Sequence, residues 1–213
     1  MKISKGKRLL ILGVILVAID QVIKVLVKTN MQIGEHFSVI GNWFQIFFIE
    51  NEGMAFGMKF GGAVGKFLLS FFRIALSAVL CWWIASLIRK SVDSDGKPAL
   101  LPDGKPVVPT GVLVGLTLIT AGAVGNIIDS LFYGVIFGYA PLMFGRVVDM
   151  FYFPLIDTIW PGWVPFVGGD RLLFFAPVFN FADSCVTVGA FYLILFQNRF
   201  FTRAEEKKAD EKK

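Results

Sequence analysis

Four stretches of this sequence stay apolar for about the thickness of a lipid bilayer, and that restricts the folds open to the chain. They run approximately from Leu9 to Val27, Phe67 to Ile88, Gly111 to Tyr133 and Phe179 to Phe196. A helix crossing the hydrocarbon core needs roughly 20 such residues. Within lipid the backbone must satisfy its own polar groups, which leaves helices or a closed barrel. The runs therefore predict an all-α membrane bundle of four transmembrane helices. Composition agrees. The chain is 55% hydrophobic with a mean hydropathy of +0.68, against about 45–50% apolar residues in an ordinary soluble domain. One polytopic domain over residues 1–213 is expected, with a disordered charged tail from about 203 to 213.

The net charge of +5 might point to nucleic acid, but its distribution excludes that partner. Fourteen of the 21 basic residues lie in three places: before Leu9, between the second and third runs, and after Phe196. Lys and Arg collect on the cytoplasmic side of a membrane protein. The pattern predicts a multi-pass membrane protein with both termini in the cytoplasm. Segments 29–66 and 134–178 then face outward. The basic N-terminus resembles a secretory signal, but its apolar run is long and no small-residue cleavage site follows. It reads as an uncleaved first span.

The outward segments are not helical in pattern. Asn42 to Glu50 is aromatic and β-branched, bounded by Gly41 and Gly53, and predicts a strand in a small extracytoplasmic β-sheet region. Asn51-Glu52-Gly53 reads as a turn. Phe151, Tyr152, Phe153, Trp160 and Trp163 suit the headgroup level. Segments 41–57 and 151–175, aromatic beside glycine-rich turns, are expected to form a mobile clamp. Residues 91–110, rich in Pro, Gly and Asp, read as a solvated linker.

Polar residues inside the runs carry the function, because ionisable groups are expensive in lipid. Asn180 and Asp183 are three apart and share a helix face. Asp149, in Arg146-Val147-Val148-Asp149-Met150, is expected to meet Asp183 across helices at one end of the bundle. Asn126 and Asp129 share a face of the third run, where Ala121 and Gly125 permit close helix packing. Asp20 and Lys24 form an i, i+4 pair, which either neutralises itself in the bundle or also supports the carboxylates. Arg73, two turns in from the outer end, snorkels or pairs.

Chemistry can be narrowed by elimination. The single histidine, His36, lies in an outward segment without a partner pattern, so Ser–His–Asp and Cys–His schemes fail. No His, Cys and Asp spacing suits a metal, and Cys81 and Cys185 read as packing residues. A Ser–Lys dyad of Ser184 or Ser130 with Lys24 is the minor alternative. A pair of carboxylates remains, one taking a proton from water while the other donates to the amide oxygen. A proton-coupled transporter or channel is the competing class. It is disfavoured because no internal repeat is visible and the polar residues gather toward one face.

Five motifs, in order along nearly the whole chain, resemble those of the prolipoprotein signal peptidases, or type II signal peptidases. They are Asp20-Gln21-x-x-Lys24, Asn51-x-Gly53-x-Ala55-Phe56, Gly122-Ala123-x-Gly125-Asn126-x-x-Asp129, Val147-Val148-Asp149 and Phe179-Asn180-x-Ala182-Asp183-Ser184. The resemblance implies an aspartic endopeptidase that removes the signal peptide of a diacylglyceryl-modified prolipoprotein, just before the lipidated cysteine. It implies Asp149 and Asp183 as the catalytic pair. Asn126 and Asn180 then orient the pair and hold peptide, with Asn51, Asp129 and Asp20 in support. No cofactor or metal is implied. The partners are the lipidated precursor and membrane lipid, and the protein is expected to act as a monomer. Two features depart from the pattern. Ser130 stands where relatives carry an Arg, whose role would pass to Arg146 or Arg73. The segment between Asp149 and Asn180 is also longer than usual.

Overall fold

The computed structural model describes residues 4–52, 62–93, 97–174, 177–198 and 200–201. The expectations for Gly53, Ala55, Phe56, Gly57, Gly61 and the tail 203–213 lie outside the described residues.

Helix α1 (Lys5–Asn30) begins on Ser4, whose hydroxyl accepts from Lys7 N at 3.3 Å. A hairpin of β1 (His36–Ile40) and β2 (Phe44–Asn51) follows. Then come α2 (Gly62–Lys90) and α3 (Thr110–Ile128). Helix α3 continues through one π turn, Asp129–Tyr133, into a short α4 (Gly134–Ile136). The remaining elements are β3 (Val147–Tyr152), β4 (Ile156–Ile159), β5 (Arg171–Phe174), β6 (Val178–Phe179) and α5 (Phe181–Phe196).

Three helical stretches are long and apolar enough to cross a membrane: Lys5–Asn30, Gly62–Lys90 and Thr110–Ile136. The fourth, α5, is apolar but 16 residues long. Their outer surfaces are apolar. Leu10, Val14, Phe71, Phe72, Trp82, Val188 and Phe191 are all exposed, a side-chain distribution that lipid would cover.

Helix α3 is central, and glycines bring α5 against it. A methyl group on Gly122 would overlap the Ala182 carbonyl. One on Gly125 would lie 2.6 Å from Asp20 Oδ2, and one on Gly189 would lie 2.8 Å from the Gly115 carbonyl. Small residues allow this approach in lipid. The close contact at the site thus falls on Gly122 and Gly125, rather than on the Ala121–Gly125 pair expected from spacing.

Apolar clusters lie on either side of the polar layer. Leu9, Leu87, Val108, Val112, Leu113, Leu116 and Leu193 form one. Phe48, Tyr133, Val148 and Met150 form the other. Val108 belongs to the first cluster, and bridges join Val92 to Pro98 and Leu100 to Pro106. The described part of segment 91–110 is therefore folded back on the bundle end, contrary to the expected solvated linker.

The principal sheet is antiparallel with order β1-β2-β3-β6, and β4 pairs with β5 in a separate hairpin. Two expectations are corrected here. Asp149 stands on a strand, β3, and not on a helix: Val147-Val148 and Phe151-Tyr152 favour the extended form, and β2 supplies a partner edge. Asn51 ends β2 opposite Val147 instead of forming a turn. Within the two segments expected to form a clamp, the ladder pairs Gln45 with Tyr152 and Ile46 with Phe151, so they are joined at that point.

Candidate active site

Strand pairing sets the site. Phe151 faces Phe179, so β6 delivers the next residue, Asn180, beside Asp149. Asn180 then caps α5. Its Oδ1 accepts from Asp183 N at 2.9 Å, while the Asp183 carboxylate accepts from Asn180 N at 3.3 Å. This reciprocal capping box satisfies two otherwise orphaned donors. Asn180 Nδ2 donates to Asp149 Oδ1 at 2.6 Å and to Asn126 Oδ1 at 3.1 Å. Asn180 thus holds both carboxylates, Asp149 through its side-chain amide and Asp183 through its backbone N–H.

Each carboxylate has a second amide. Asn51 Nδ2 donates to Asp149 Oδ2 at 3.3 Å, diagonally across the β2–β3 ladder, and Asn126 Nδ2 donates to Asp183 Oδ1 at 2.8 Å. Asp149 is 2% exposed, whereas Asp183 is half-buried. Burial, reinforced by the negative charge of Asp183, raises the Asp149 carboxyl to about 7, with the Asn180 and Asn51 amides opposing. Asp183 stands instead in the first turn of α5. The two acids therefore stand in unequal surroundings, as shared-proton chemistry requires.

Below the pair is a buried charged layer. Lys24 Nζ meets Asp20 at 2.9 Å, Asp129 at 2.8 Å and Asn126 Oδ1 at 2.8 Å, using its three donors. Lys24 thus does both things left open by the sequence: it pairs with Asp20 and it fixes Asn126, which touches Asp183. Asp20 Oδ1 accepts from Ala182 N at 2.9 Å and so secures the first turn of α5. Asp129 Oδ2 accepts from Val148 N at 3.3 Å and so ties β3 to the end of α3.

The π turn aims these groups. Asp129, Ser130 and Tyr133 are all buried, and the looser turn frees carbonyls that accept from other backbone N–H groups. Gly145 N donates to Ser130 O at 2.9 Å and Met143 N to Leu131 O at 3.0 Å. Such π turns recur at functional sites.

Reasoning from sequence passed over Gln21, although it stands in the first motif. Its amide donates to Asp129 Oδ1 at 2.9 Å, to Asp20 Oδ2 at 3.1 Å and to the Gly125 carbonyl at 3.1 Å. Its Oε1 accepts from the Tyr133 hydroxyl at 3.1 Å. A polar residue within an apolar run, one position from Asp20, was the available signal.

The two arginines separate. Arg73 donates to Ser130 Oγ at 3.3 Å and lies within the electrostatic reach of Asp183, Asp129 and Asp149. Arg146 instead pairs with Glu50 at 3.3 Å and sits over the Tyr139 ring. Glu50 is also bound by Lys28. On the Asp149 side of the sheet, Phe44, Phe153 and Phe179 form a ring stack with centroids 4.7 and 5.7 Å apart. Among the described residues no group of three or more His, Cys, Asp or Glu is placed to hold a metal.

Known proteins share this arrangement of sequence. The family model described as signal peptidase (SPase) II matches residues 12–199. A lipoprotein signal peptidase of Porphyromonas gingivalis is 43% identical over 209 residues, covering 91% of this chain and 84% of that protein. A lipoprotein signal peptidase of Amoebophilus asiaticus is 35% identical over 192 residues, covering 86% of this chain and 75% of its own. In fold, the chain is similar to a solved bacterial membrane enzyme, determined by the in meso method at 2.3 Å resolution, with a TM-score of 0.55 at 23% identity, covering 92% of this chain and 90% of that one. The reciprocal amide support of Asp149 and Asp183, the buried Lys24 layer and the match over residues 12–199 lead to one assignment: this chain belongs to the signal peptidase II family.

Proposed function

We propose that the protein is an aspartic endopeptidase that removes the signal peptide of diacylglyceryl-modified prolipoproteins, with Asp149 and Asp183 as its catalytic pair. The observation that carries this reading is Asn180, whose one side chain bonds Asp149 and caps Asp183. In the reaction Asp183, as the base of the pair, takes a proton from the attacking water. Asp149, the protonated partner, donates to the carbonyl oxygen of the scissile amide. The tetrahedral intermediate collapses as a proton passes to the departing nitrogen, and the pair returns to one shared proton. Asn126, Asn180 and Asn51 hold the pair and present amides to the peptide. Lys24 holds Asn126, while Asp20 and Asp129 pair with Lys24 and secure the starts of α5 and β3. The Phe44–Phe153–Phe179 stack offers an apolar shelf beside Asp149 for the lipid-bearing end of the substrate. Of the two arginines, Arg73 is the one positioned to replace the cation lost at Ser130, while Arg146 steadies the outer hairpin through Glu50.

In this reading the protein is one polytopic domain in the bacterial inner membrane and acts as a monomer. Helix α5 serves as a fourth span, both termini are cytoplasmic, and the site opens toward the outer leaflet. The basic N-terminal and 89–105 segments support that orientation. The test is cleavage of a diacylglyceryl precursor by the purified full chain in detergent with EDTA present. Cleavage should persist in EDTA. Asp149→Asn and Asp183→Asn should each fall to background while keeping the parent's thermal unfolding profile, because members of one catalytic unit are not additive. Substantial turnover by either variant would remove the aspartic assignment.

A further inference from the structure

Away from the carboxylates, a cavity of about 580 Å³ lies between α1, α2 and α3. Its walls include Leu9, Leu10 and Val14 of α1, Cys81 and Ile84 of α2, and Val124 of α3. The wall is apolar, apart from Cys81 and from Thr117 and Thr120, whose hydroxyls donate to Leu113 and Leu116 carbonyls at 2.7 and 2.8 Å. Along α1 the cavity runs from Gly6 to Ala18, ~18 Å at the rise of a helix. That is close to half of the ~30 Å hydrocarbon core, the depth of one leaflet.

Among the described residues, basic side chains gather at its mouth. Gly6 approaches Ile88, with 3.6 Å from a methyl on Gly6 to Ile88 Cγ2, so the start of α1 and the end of α2 share one rim. Lys5, Lys7 and Arg8 flank Gly6, and Arg89 and Lys90 follow Ile88; all but Lys5 are exposed. The nearest described carboxylate in sequence, Asp93, accepts from Lys97 N at 2.8 Å. Basic residues at a membrane surface attract anionic headgroups.

We propose that this cavity is a binding site for an anionic phospholipid of the inner leaflet, with one acyl chain between α1 and α2 and the headgroup on the basic rim. The proposal rests on the orientation given under the proposed function, which places that rim in the cytoplasm. A signal peptide is the other apolar occupant to weigh. Its leading end is positively charged, so the same rim repels it.

Cys81 is exposed in the wall of this cavity and reports on occupancy. Alkylation of Cys81 by an apolar maleimide is followed by mass spectrometry of its peptide, on the full chain in detergent. Phosphatidylglycerol at ten times its dissociation constant should slow the reaction roughly tenfold, and phosphatidylcholine at the same concentration should do much less. Arg89→Gln with Lys90→Gln should erase the difference between the lipids. Gly13→Leu or, independently, Ala85→Leu should slow alkylation without lipid and remove the lipid effect. Equal protection by both lipids, or protection by a precursor peptide and by neither lipid, overturns the proposal. Precursor cleavage is measured on the same samples. Cleavage without lipid-specific protection sinks the lipid site and leaves the peptidase reading standing. Protection without cleavage sustains the lipid site and counts against the peptidase reading alone.

Discussion

Asp149 draws its chemistry from its surroundings. Full burial beside Asp183 raises its carboxyl to about 7, well above the ordinary value of ~3.9. Two consequences follow from the sign of that shift. If Asp149 is the proton donor, kcat/KM for the lipidated precursor should fall as pH rises through about 7, approaching tenfold per unit on the alkaline limb. Folding stability moves the same way. Between ~3.9 and about 7 the folded chain holds a proton on Asp149 that the unfolded chain has lost, so the stabilisation is complete at low pH and declines through that window. Asp149→Asn, which cannot titrate, should flatten the decline in the apparent thermal midpoint in detergent. A parent enzyme whose kcat/KM is level from pH 6 to 9 would remove Asp149 as the acid.

Helices α3 and α5 meet through absent side chains. Gly125 leaves room for the Asp20 carboxylate, which itself holds Ala182 N at the start of α5. Gly125→Ala would push a methyl to 2.6 Å from Asp20 Oδ2, and overpacking of this kind costs about 1–3 kcal/mol. Gly13, on the lipid-side cavity, is the control: its new methyl would meet Thr117 Cγ2 at 3.6 Å, an ordinary contact. Gly13→Ala should therefore leave the thermal midpoint level or slightly higher, while Gly125→Ala lowers it by several degrees. Equal midpoints for the two variants would contradict the tight fit of Gly125 against the Asp20 carboxylate. The β2–β3–β6 ladder is the other joint. It was legible as strand in Asn42 to Glu50, where aromatic and β-branched residues crowd together. At Val147 to Tyr152 the same residue types also suit a buried helix, and only the edge of β2 decides between them.

The molecule as a whole is polarised. The sheet and the β4–β5 hairpin gather at the end bearing the carboxylates, and the α2–α3 connection with its basic residues lies at the other. With the proposed orientation, Ser38→Cys and Gly162→Cys should react with an impermeant maleimide applied from the outer face of the membrane. Lys97→Cys should react only after the membrane is opened. The reverse pattern would invert the protein and with it the access of a lipoprotein substrate.

Apolar run length and the placement of lysine and arginine belong to the linear sequence, because partition into lipid depends on local composition. So do the spacing of Asn180 and Asp183 and of Asp20 and Lys24, since one helix turn brings each pair together. What the linear sequence leaves undecided is every relation between segments. The extended state of Asp149 depends on pairing with β2 and β6. The convergence of Lys24 on Asp129 and Asn126 joins residues about a hundred positions apart. The looser turn at Asp129 requires the Gly145 and Met143 N–H groups to donate to the carbonyls it frees. Such arrangements arise only when distant backbone and side-chain groups satisfy one another in a place without water, and that is a property of the packed chain.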